Sequence, residues 1–368
     1  MTHRGRLLAA LRRAVPDQVP VTWELEGRAA YALTGASGWK AICDAHRMVG
    51  SAIFNLQGVG PNLSCHMAGG YDKTSQRHQA DGNTTEETRT FTTPRGKLVE
   101  RWRYGHVEGD PTLAVNVEHL VKDPEDYGLL TDFFEAEANG AVPDLGTCKE
   151  AHEYIGEDGL VGFWMADPVY LAAEARSAEL FVVDLMDKPG LVHRVLEAID
   201  LLKEKELEAF NTSDADVLVY DLCFASLSLL NPPLVQEFVL PRARWLMEHV
   251  KRENKIVGFF TTGKIRAVLD RLVDLEPDFI QHFDVLGDCD LGEVKKTFGD
   301  RIGIVGNYSP VVLAKGSLDE ARLEAKRCLD DAMVGGGYVL STSDEVPPDA
   351  KLDNMRAVVE YVAEHGRY

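Results

Sequence analysis

Four ionisable side chains come at the ends of four short apolar runs, where they could carry out chemistry together. They are Glu24, Asp221, His282 and Asp344. If the runs are strands of one parallel sheet, their carboxyl ends meet at one edge and these side chains converge. Carboxylates with a histidine can bind a divalent metal or act as general acids and bases. For each residue alone, a helix cap or a solvated loop position is the alternative interpretation.

The same run ends carry aromatic and polar side chains that could form the wall of a pocket. The predicted substrate-binding residues are Trp23, Glu24, Trp164, Tyr220, Phe260, Thr262 and Asn307. Because alternate residues of a strand face opposite ways, about half of the aromatic side chains should belong to the core. The others are expected to line an apolar or cation-holding pocket.

Eight apolar runs have the length of buried strands. They cover residues 19–25, 51–57, 159–165, 216–222, 255–261, 278–283, 301–307 and 336–343. Amphipathic stretches with helical spacing lie between most of them. Short strands that alternate with helices are typical of a parallel sheet. Eight such units predict an α/β fold of the closed (β/α)8 TIM-type barrel class, with a doubly wound open sheet as the alternative.

One region, from about residue 70 to residue 117, departs from this alternation. Its sequence is polar and alternating, and Pro94, Arg95 and Gly96 separate two strand-like runs. This pattern is typical of an antiparallel hairpin around a turn. The sequence therefore predicts one domain over residues 1–368, with a hairpin insertion after the second strand that covers or flanks the barrel mouth.

The charge balance and the cysteines narrow the classes of partner. Acidic residues outnumber basic ones 59 to 39, giving a formal net charge of −20, which disfavours nucleic acid, anionic membranes and polyanionic substrates. The six cysteines are scattered without a CxxC pair, which argues against a disulfide framework. No apolar stretch is long enough to span a bilayer, and the start has no signal-peptide pattern. We therefore expect a cytoplasmic protein with no nucleic-acid or membrane partner.

The stretch "VGFFTTGK", residues 257–264, has nearly the glycine and lysine spacing of a phosphate-binding loop. Such a loop continues with Ser or Thr to hold Mg²⁺, whereas Ile265 follows Lys264 here. Its first glycine, Gly258, also falls inside a predicted strand. We therefore expect a strand end here and no nucleotide site.

Several segments resemble the uroporphyrinogen decarboxylase superfamily, in that family's order. They include "RLLAALRRAVPDQVPV", "TTPRGKLVERW", "HLVKDPEDYGLL", "DVLVYDLCFASLSLLNPPLVQEFVLP" and "GGYVLSTSDEVPPDAKLDNMRAVVEYVAEHGRY". The pattern GN-x-x-P, at Gly306, Asn307 and Pro310, is among the more specific similarities. The resemblance covers nearly the whole chain and implies a (β/α)8 barrel. It also implies a homodimer with facing barrel mouths.

The sequence is more similar to the corrinoid-dependent methyltransferase branch than to the heme-pathway decarboxylase. That decarboxylase has an arginine-rich N-terminal segment that grips a tetrapyrrole with many carboxylates. The corresponding "VTWELEGRAAYALTG" has two glutamates and one arginine. The segment "TTPRGKLVERW" looks more like the methyltransferases, which move methyl groups between small molecules and a cobalamin on a separate corrinoid protein.

A zinc site is the point at which the sequence departs from that branch. Thiol-methylating members carry His-x-Cys-Gly at the "VGFFTTGK" strand end and a further Cys near the last strand. These residues bind Zn²⁺, which holds a thiol as thiolate. The corresponding positions here are Phe260, Thr262 and Asp344, so the resemblance implies no thiol acceptor. If a divalent metal such as zinc is present, mixed oxygen and imidazole ligands are expected.

These observations together predict a demethylase component. It would transfer a methyl group from an aryl methyl ether, a methylated amine or a betaine to the cobalamin of a corrinoid protein. Asp221, His282 and Asp344 are the predicted catalytic residues, with Glu24 behind them, and they would activate the leaving group as acids or through a hard metal. The alternatives are a cobalamin-free decarboxylase or lyase, and a non-catalytic accessory protein.

Overall fold

The fold is α/β, and the computed structural model describes residues 1–105, 113–253 and 255–368. In these ranges the strands are β1 (Ile53–Asn55), β2 (Asn62–Cys65), β3 (Asp72–Asp81), β4 (Thr84–Thr93), β5 (Gly96–Tyr104), β6 (Ala114–Glu118), β7 (Ala141–Asp144), β8 (Gly159–Ala166), β9 (Val217–Asp221), β10 (Ile256–Phe260), β11 (Phe279–His282), β12 (Gly303–Gly306) and β13 (Tyr338–Val339). The α-helices are α1 (His3–Leu11), α2 (Gly27–Thr34), α3 (Trp39–Val49), α4 (Tyr127–Gly140), α5 (Gly146–Ile155), α6 (Pro168–Arg176), α7 (Ala178–Asp187), α8 (Pro189–Thr212), α9 (Pro232–Leu234), α10 (Leu240–His249), α11 (Arg266–Val273), α12 (Leu291–Phe298), α13 (Pro310–Lys315), α14 (Leu318–Ala332) and α15 (Leu352–His365).

Seven strands form one curled parallel sheet, in the order β1-β8-β9-β10-β11-β12-β13. These strands correspond to seven of the eight apolar runs. Every residue of β9, β10 and β11 is buried, as expected for parallel strands that are covered on both faces. The predicted alternation of strands and helices is therefore confirmed over this part of the chain.

The eighth predicted run, residues 19–25, lies against both edges of the sheet. Val21 pairs in parallel with Leu340, just after β13. The Thr22 N–H donates to the Leu340 carbonyl at 3.0 Å, and the Ala52 N–H donates to the Val21 carbonyl at 2.8 Å. This extended segment therefore brings Glu24 to the carboxyl end of the sheet.

The polar region contains a four-stranded antiparallel sheet in the order β3-β4-β5-β6. β4 and β5 flank the predicted turn, where the Thr93 hydroxyl accepts hydrogen bonds from the Arg95 and Gly96 N–H groups at 3.2 Å. The predicted hairpin is thus the central pair of a larger sheet. Residues 106–112 of the predicted insertion lie outside the described ranges. A separate antiparallel pair, β2 with β7, was not predicted.

Strand β10 explains the glycine of "VGFFTTGK". A Cβ atom on Gly258 would lie 2.2 Å from the Phe279 ring on β11, so the close packing of these strands requires glycine. Gly258 lies inside the strand, as predicted, and α11 begins only at Arg266. Within the described ranges, no helix is long and apolar enough to cross a membrane.

Candidate active site

A cleft of about 600 Å³ opens at the carboxyl ends of the parallel strands. This is the edge at which parallel α/β folds place their active sites. Six of the predicted site residues line it: Glu24, Trp164, Asp221, Phe260, Thr262 and Asp344. The convergence that was expected from the strand ends therefore occurs for side chains from segment 19–25, β8, β9, β10 and the loop after β13.

Four predicted site residues lie outside this cleft. Trp23 is buried in the core, where its ring packs edge-on against Tyr308 at 5.7 Å. The Tyr220 hydroxyl donates to Asp167 at 2.7 Å, and Asp167 caps the first turn of α6. These contacts give both aromatic residues roles in packing.

Asn307 and His282 are the other two. The Asn307 amide donates to the Phe283 carbonyl at 2.9 Å and accepts from Arg327 at 3.0 Å, so it joins β12 to α14. His282 is fully buried at the end of β11, behind the cleft wall. Glu24 is a cleft residue next to it, with Glu24 Oε2 3.6 Å from His282 Nε2.

The hydrogen bonds of His282 define its neutral form. Nδ1 lies 2.7 Å from the carbonyl oxygen of Thr342. Because a carbonyl only accepts, Nδ1 carries the proton and Nε2 is the acceptor, with the Gln281 side-chain amide 3.1 Å away. Burial also lowers the pKa of His282. The ring is therefore held as a neutral imidazole with both nitrogen atoms engaged.

Glu24 is one of two buried carboxyl groups that line the cleft, the other being Asp221. Burial raises its pKa well above the usual value, and the negative charges of Glu26, Glu345 and Asp344 raise it further. No described residue donates a hydrogen bond to its carboxyl oxygens, and His282 at 3.6 Å is beyond hydrogen-bond distance. The raised pKa favours the protonated form of Glu24, which faces the cleft.

A second carboxyl pair lies beside Glu24. Burial and the neighbouring Glu345 raise the pKa of Glu26 to about 7. Arg28 forms an ion pair with Glu345 at 2.6 Å. The Glu26 carboxyl thus changes charge near neutral pH, next to the cleft.

Asp221 and Cys223 occupy the end of β9. The Cys223 N–H donates to Asp221 Oδ1 at 2.9 Å, and burial raises the pKa of the Asp221 carboxyl. Burial and this carboxyl raise the pKa of the Cys223 thiol, which therefore stays protonated. Asp344, on the opposite side, is exposed, and its Oδ1 accepts from the Glu345 N–H at 2.7 Å.

Aromatic rings form the remaining wall. The Trp164 and Phe260 rings meet edge-on with centroids 4.7 Å apart, and Phe260 lies edge-on to His282 at the same distance. Phe163 and Tyr170 also line the cleft. Phe260 therefore separates the buried histidine from the solvent of the cleft.

The donor set does not fit a thiol-activating zinc site. Phe260 and Thr262 supply no imidazole and no thiolate, and the Cys223 thiol is held protonated by its surroundings. Both ring nitrogen atoms of His282 already have partners. Across the described ranges, no three His, Cys, Asp or Glu side chains form a group that could hold a metal ion. We therefore derive no step through zinc.

Several lining residues were not among the predicted site residues. Glu345 directly follows the predicted residue Asp344, and Glu26 comes two residues after Glu24 in "WELEGR". This spacing could have indicated Glu26, because alternate residues of an extended segment face the same side. Gln57 and Phe163 lie in the predicted strands 51–57 and 159–165. Tyr170 reaches the cleft from α6, and no strand-end pattern could have indicated it.

The parallel sheet with a cleft at its carboxyl ends defines the chain as a barrel-like α/β protein. Residues 110–365 match the family model described as Uroporphyrinogen decarboxylase (URO-D). The chain belongs to the uroporphyrinogen decarboxylase family.

Relatives in this family include methyltransferases and decarboxylases. The chain is 29% identical over 219 residues to the "Methylcobamide:CoM methyltransferase MtaA" of Methanosarcina barkeri, covering 58% of this chain and 61% of that relative. It is 25% identical over 214 residues to a uroporphyrinogen decarboxylase of Coxiella burnetii, covering 55% of this chain and 57% of the relative. The solved structure of a methyltransferase from Methanosarcina mazei has the same fold, with a TM-score of 0.63, 19% identity and 99% of both chains covered. The matched segment thus spans about three fifths of the curated relatives' length.

Proposed function

We propose that this chain is the demethylase component of a corrinoid-dependent methyl-transfer system. It would transfer a methyl group from an aryl methyl ether, a methylated amine or a betaine to the cobalamin of a corrinoid protein. The likeness to a methylcobamide-dependent methyltransferase supports the reaction class. The observation that carries the proposal is Glu24, a buried carboxyl group with a raised pKa that faces the cleft beside Phe260 and Thr262.

We further infer that residues 19–25 close the parallel sheet into a (β/α)8 barrel. The hydrogen bonds of this segment to Leu340 and Ala52, on the two edges of the sheet, support the closure. In this arrangement residues 70–117 are an insertion within a single domain over residues 1–368. Closure matters for function because it holds Glu24 between Asp344 and the end of β1.

The chemistry of the proposed donors requires an acid. An ether oxygen is a poor leaving group, and an amine product gains a proton after its methyl group departs. The cobalt of the partner's cobalamin accepts the methyl group. Glu24 supplies the proton to the oxygen or nitrogen that is left. Asp221 and Asp344 orient the donor from opposite sides of the cleft, and His282 positions the Glu24 carboxyl.

A thiol acceptor such as coenzyme M fits this site less well. A thiol must lose its proton to accept a methyl group, and a zinc ion or a nearby cation favours that loss. The cleft instead presents carboxyl groups, which disfavour an additional thiolate. The acceptor named for the methanogen relative is therefore not part of the proposal.

Methylation of cob(I)alamin tests the proposal. The purified chain is mixed under reducing conditions with cob(I)alamin and a panel of methoxyarenes, methylated amines and betaines, and the cobalamin absorbance is followed. We expect methylation with at least one class of donor. A chain that methylates none, but releases CO₂ from carboxylated analogues, would be the cobalamin-free decarboxylase. A chain without either activity would be an accessory protein.

A further inference from the structure

The cleft combines two features that suit a cationic ligand. One is the set of carboxyl groups that line it: Glu24, Glu26, Asp221, Asp344 and Glu345. No lysine or arginine is among the described lining residues, and Arg28 pairs with Glu345 beside the cleft. The other feature is the aromatic wall of Phe163, Trp164, Tyr170 and Phe260. Aromatic faces attract cations, and carboxylates beside them strengthen that attraction.

We propose that the methyl donor is a methylated ammonium cation without a carboxylate group, held between the carboxyl groups and the aromatic wall. This inference narrows the proposed function and rests on it for its chemistry. Its independent support is Glu24, which is only 9% exposed, faces the cleft, and receives no hydrogen bond from a described residue. Ionisation of a carboxyl group at this depth costs free energy, which the positive charge of a bound cation would offset.

The other proposed donors fit this cleft less well. A neutral methoxyarene offers no charge to the carboxyl groups. A betaine brings a carboxylate into a cleft that is already negative, where like charges repel. In transfer from an ammonium donor, the C–N bond breaks with its electron pair left on nitrogen, and the methyl group is taken by the reduced cobalt with two electrons of its own. The amine that remains takes the proton of Glu24, so that the turnover leaves a protonated amine and a Glu24 carboxylate.

Cation binding in this cleft should release a proton. The Glu26 carboxyl, whose pKa is raised to about 7, is partly protonated at neutral pH. The groups that face it are Glu24, Arg28, Gln57, Tyr170 and Glu345. A cation near these groups favours the ionised carboxylate, so the proton leaves as the cation enters. A neutral ligand of the same shape has no such effect.

Calorimetric titration with matched probes tests the inference. Choline is compared with its neutral carbon isostere, 3,3-dimethylbutan-1-ol, and with glycine betaine, each in Tris and in PIPES at about pH 7. We expect choline to bind about tenfold or more tightly than either comparison ligand. The observed heat should depend on the buffer for choline only, because only choline binding releases protons.

Three variants locate the effect in the cleft. Trp164→Leu keeps an apolar side chain and should weaken choline binding about tenfold, without changing the affinity for the isostere. Glu26→Gln should remove the buffer dependence. Asp319→Asn makes the same charge change at a side chain that is 97% exposed at the start of α14, and should behave like the unmodified chain. Equal effects of the Glu26 and Asp319 changes would overturn the inference, because they would show a general surface attraction.

The inference and the proposed function fail in different ways. Equal affinity for choline and the isostere, or no binding of choline, overturns the inference whatever happens in the transfer assay. Methylation of cobalamin from methoxyarenes alone also overturns it while leaving the proposed function intact. Tight choline binding with no transfer from any donor overturns the function and leaves the cation site standing.

Discussion

His282 Nε2 lies 3.6 Å from Glu24 Oε2, and of these two residues Glu24 is the one that lines the cleft. From the sequence alone, Glu24 ranks after His282 as a catalytic candidate. The neutral imidazole is fixed by Thr342 and Gln281 and lies behind Phe260. The carboxyl group is therefore the one that faces the cleft, and the histidine lies in the layer behind it.

Glu24→Gln should stabilise the fold at high pH. The pKa of Glu24 is raised in the folded chain, so that between its unfolded value and its folded value the folded state binds more protons than the unfolded state. Stability from this group is present below the unfolded pKa and is lost as pH rises through the folded pKa. The variant lacks this loss, so its melting temperature should exceed that of the unmodified chain at about pH 8 and approach it at about pH 4. Equal destabilisation at both pH values would contradict the raised pKa.

His282→Asn tests the positioning role. An asparagine amide can replace Nδ1–H as the donor to the Thr342 carbonyl, whereas the contact with Glu24 is lost. We expect turnover to fall about tenfold and the alkaline limb of the pH–rate profile to shift, because Glu24 has lost its neighbour. If the histidine is only structural, the melting temperature falls and the profile stays where it is.

Asp344→Ala should separate function from stability. The side chain is exposed, and its one described hydrogen bond is to the adjacent Glu345 N–H. Turnover should fall about 100-fold if Asp344 orients the donor, while the free energy of unfolding in urea changes by less than about 1 kcal/mol. Asp349→Ala, in the same loop but outside the cleft, is the matched control and should keep its turnover. Unchanged turnover of the Asp344 variant would remove that residue from the site.

Tyr220→Phe should affect stability more than turnover. The hydroxyl donates to Asp167 at 2.7 Å and lies outside the cleft. Burial raises the pKa of Asp167 to about 7, and the tyrosine hydrogen bond opposes that rise. Its removal should cost about 1–3 kcal/mol of unfolding free energy and leave KM unchanged. A large rise in KM would instead place Tyr220 in contact with the substrate.

The strand positions could be predicted from the sequence because buried parallel strands appear in it as short continuous apolar runs. Seven of the eight runs are strands of the parallel sheet. The convergence of Asp221, Phe260 and Asp344 at strand ends could also be predicted from the sequence. The direction in which each side chain points could not. Trp23 and Glu24 are adjacent, yet the first enters the core and the second the cleft.

Contacts between distant segments were also beyond the reach of sequence patterns. The burial of His282 depends on Phe260, at the end of β10, and on Thr342, which follows β13. Because these residues are distant in the sequence, no local pattern indicates that His282 lies behind the cleft wall. Tyr170 lines the cleft from a helix, where aromatic residues are more often part of the core. Such placements follow from packing between elements.

We propose that methyl groups are transferred in this cleft with Glu24 as the acid. This role of Glu24 is tested most directly by the rate at which the purified chain converts cob(I)alamin to methylcobalamin with a methylated donor, measured by absorbance for the unmodified chain and for Glu24→Gln. We expect measurable methylation by the unmodified chain and a loss of about 100-fold or more in the variant, with both proteins folded. No methylation from any donor, or equal rates for the two proteins, would contradict it.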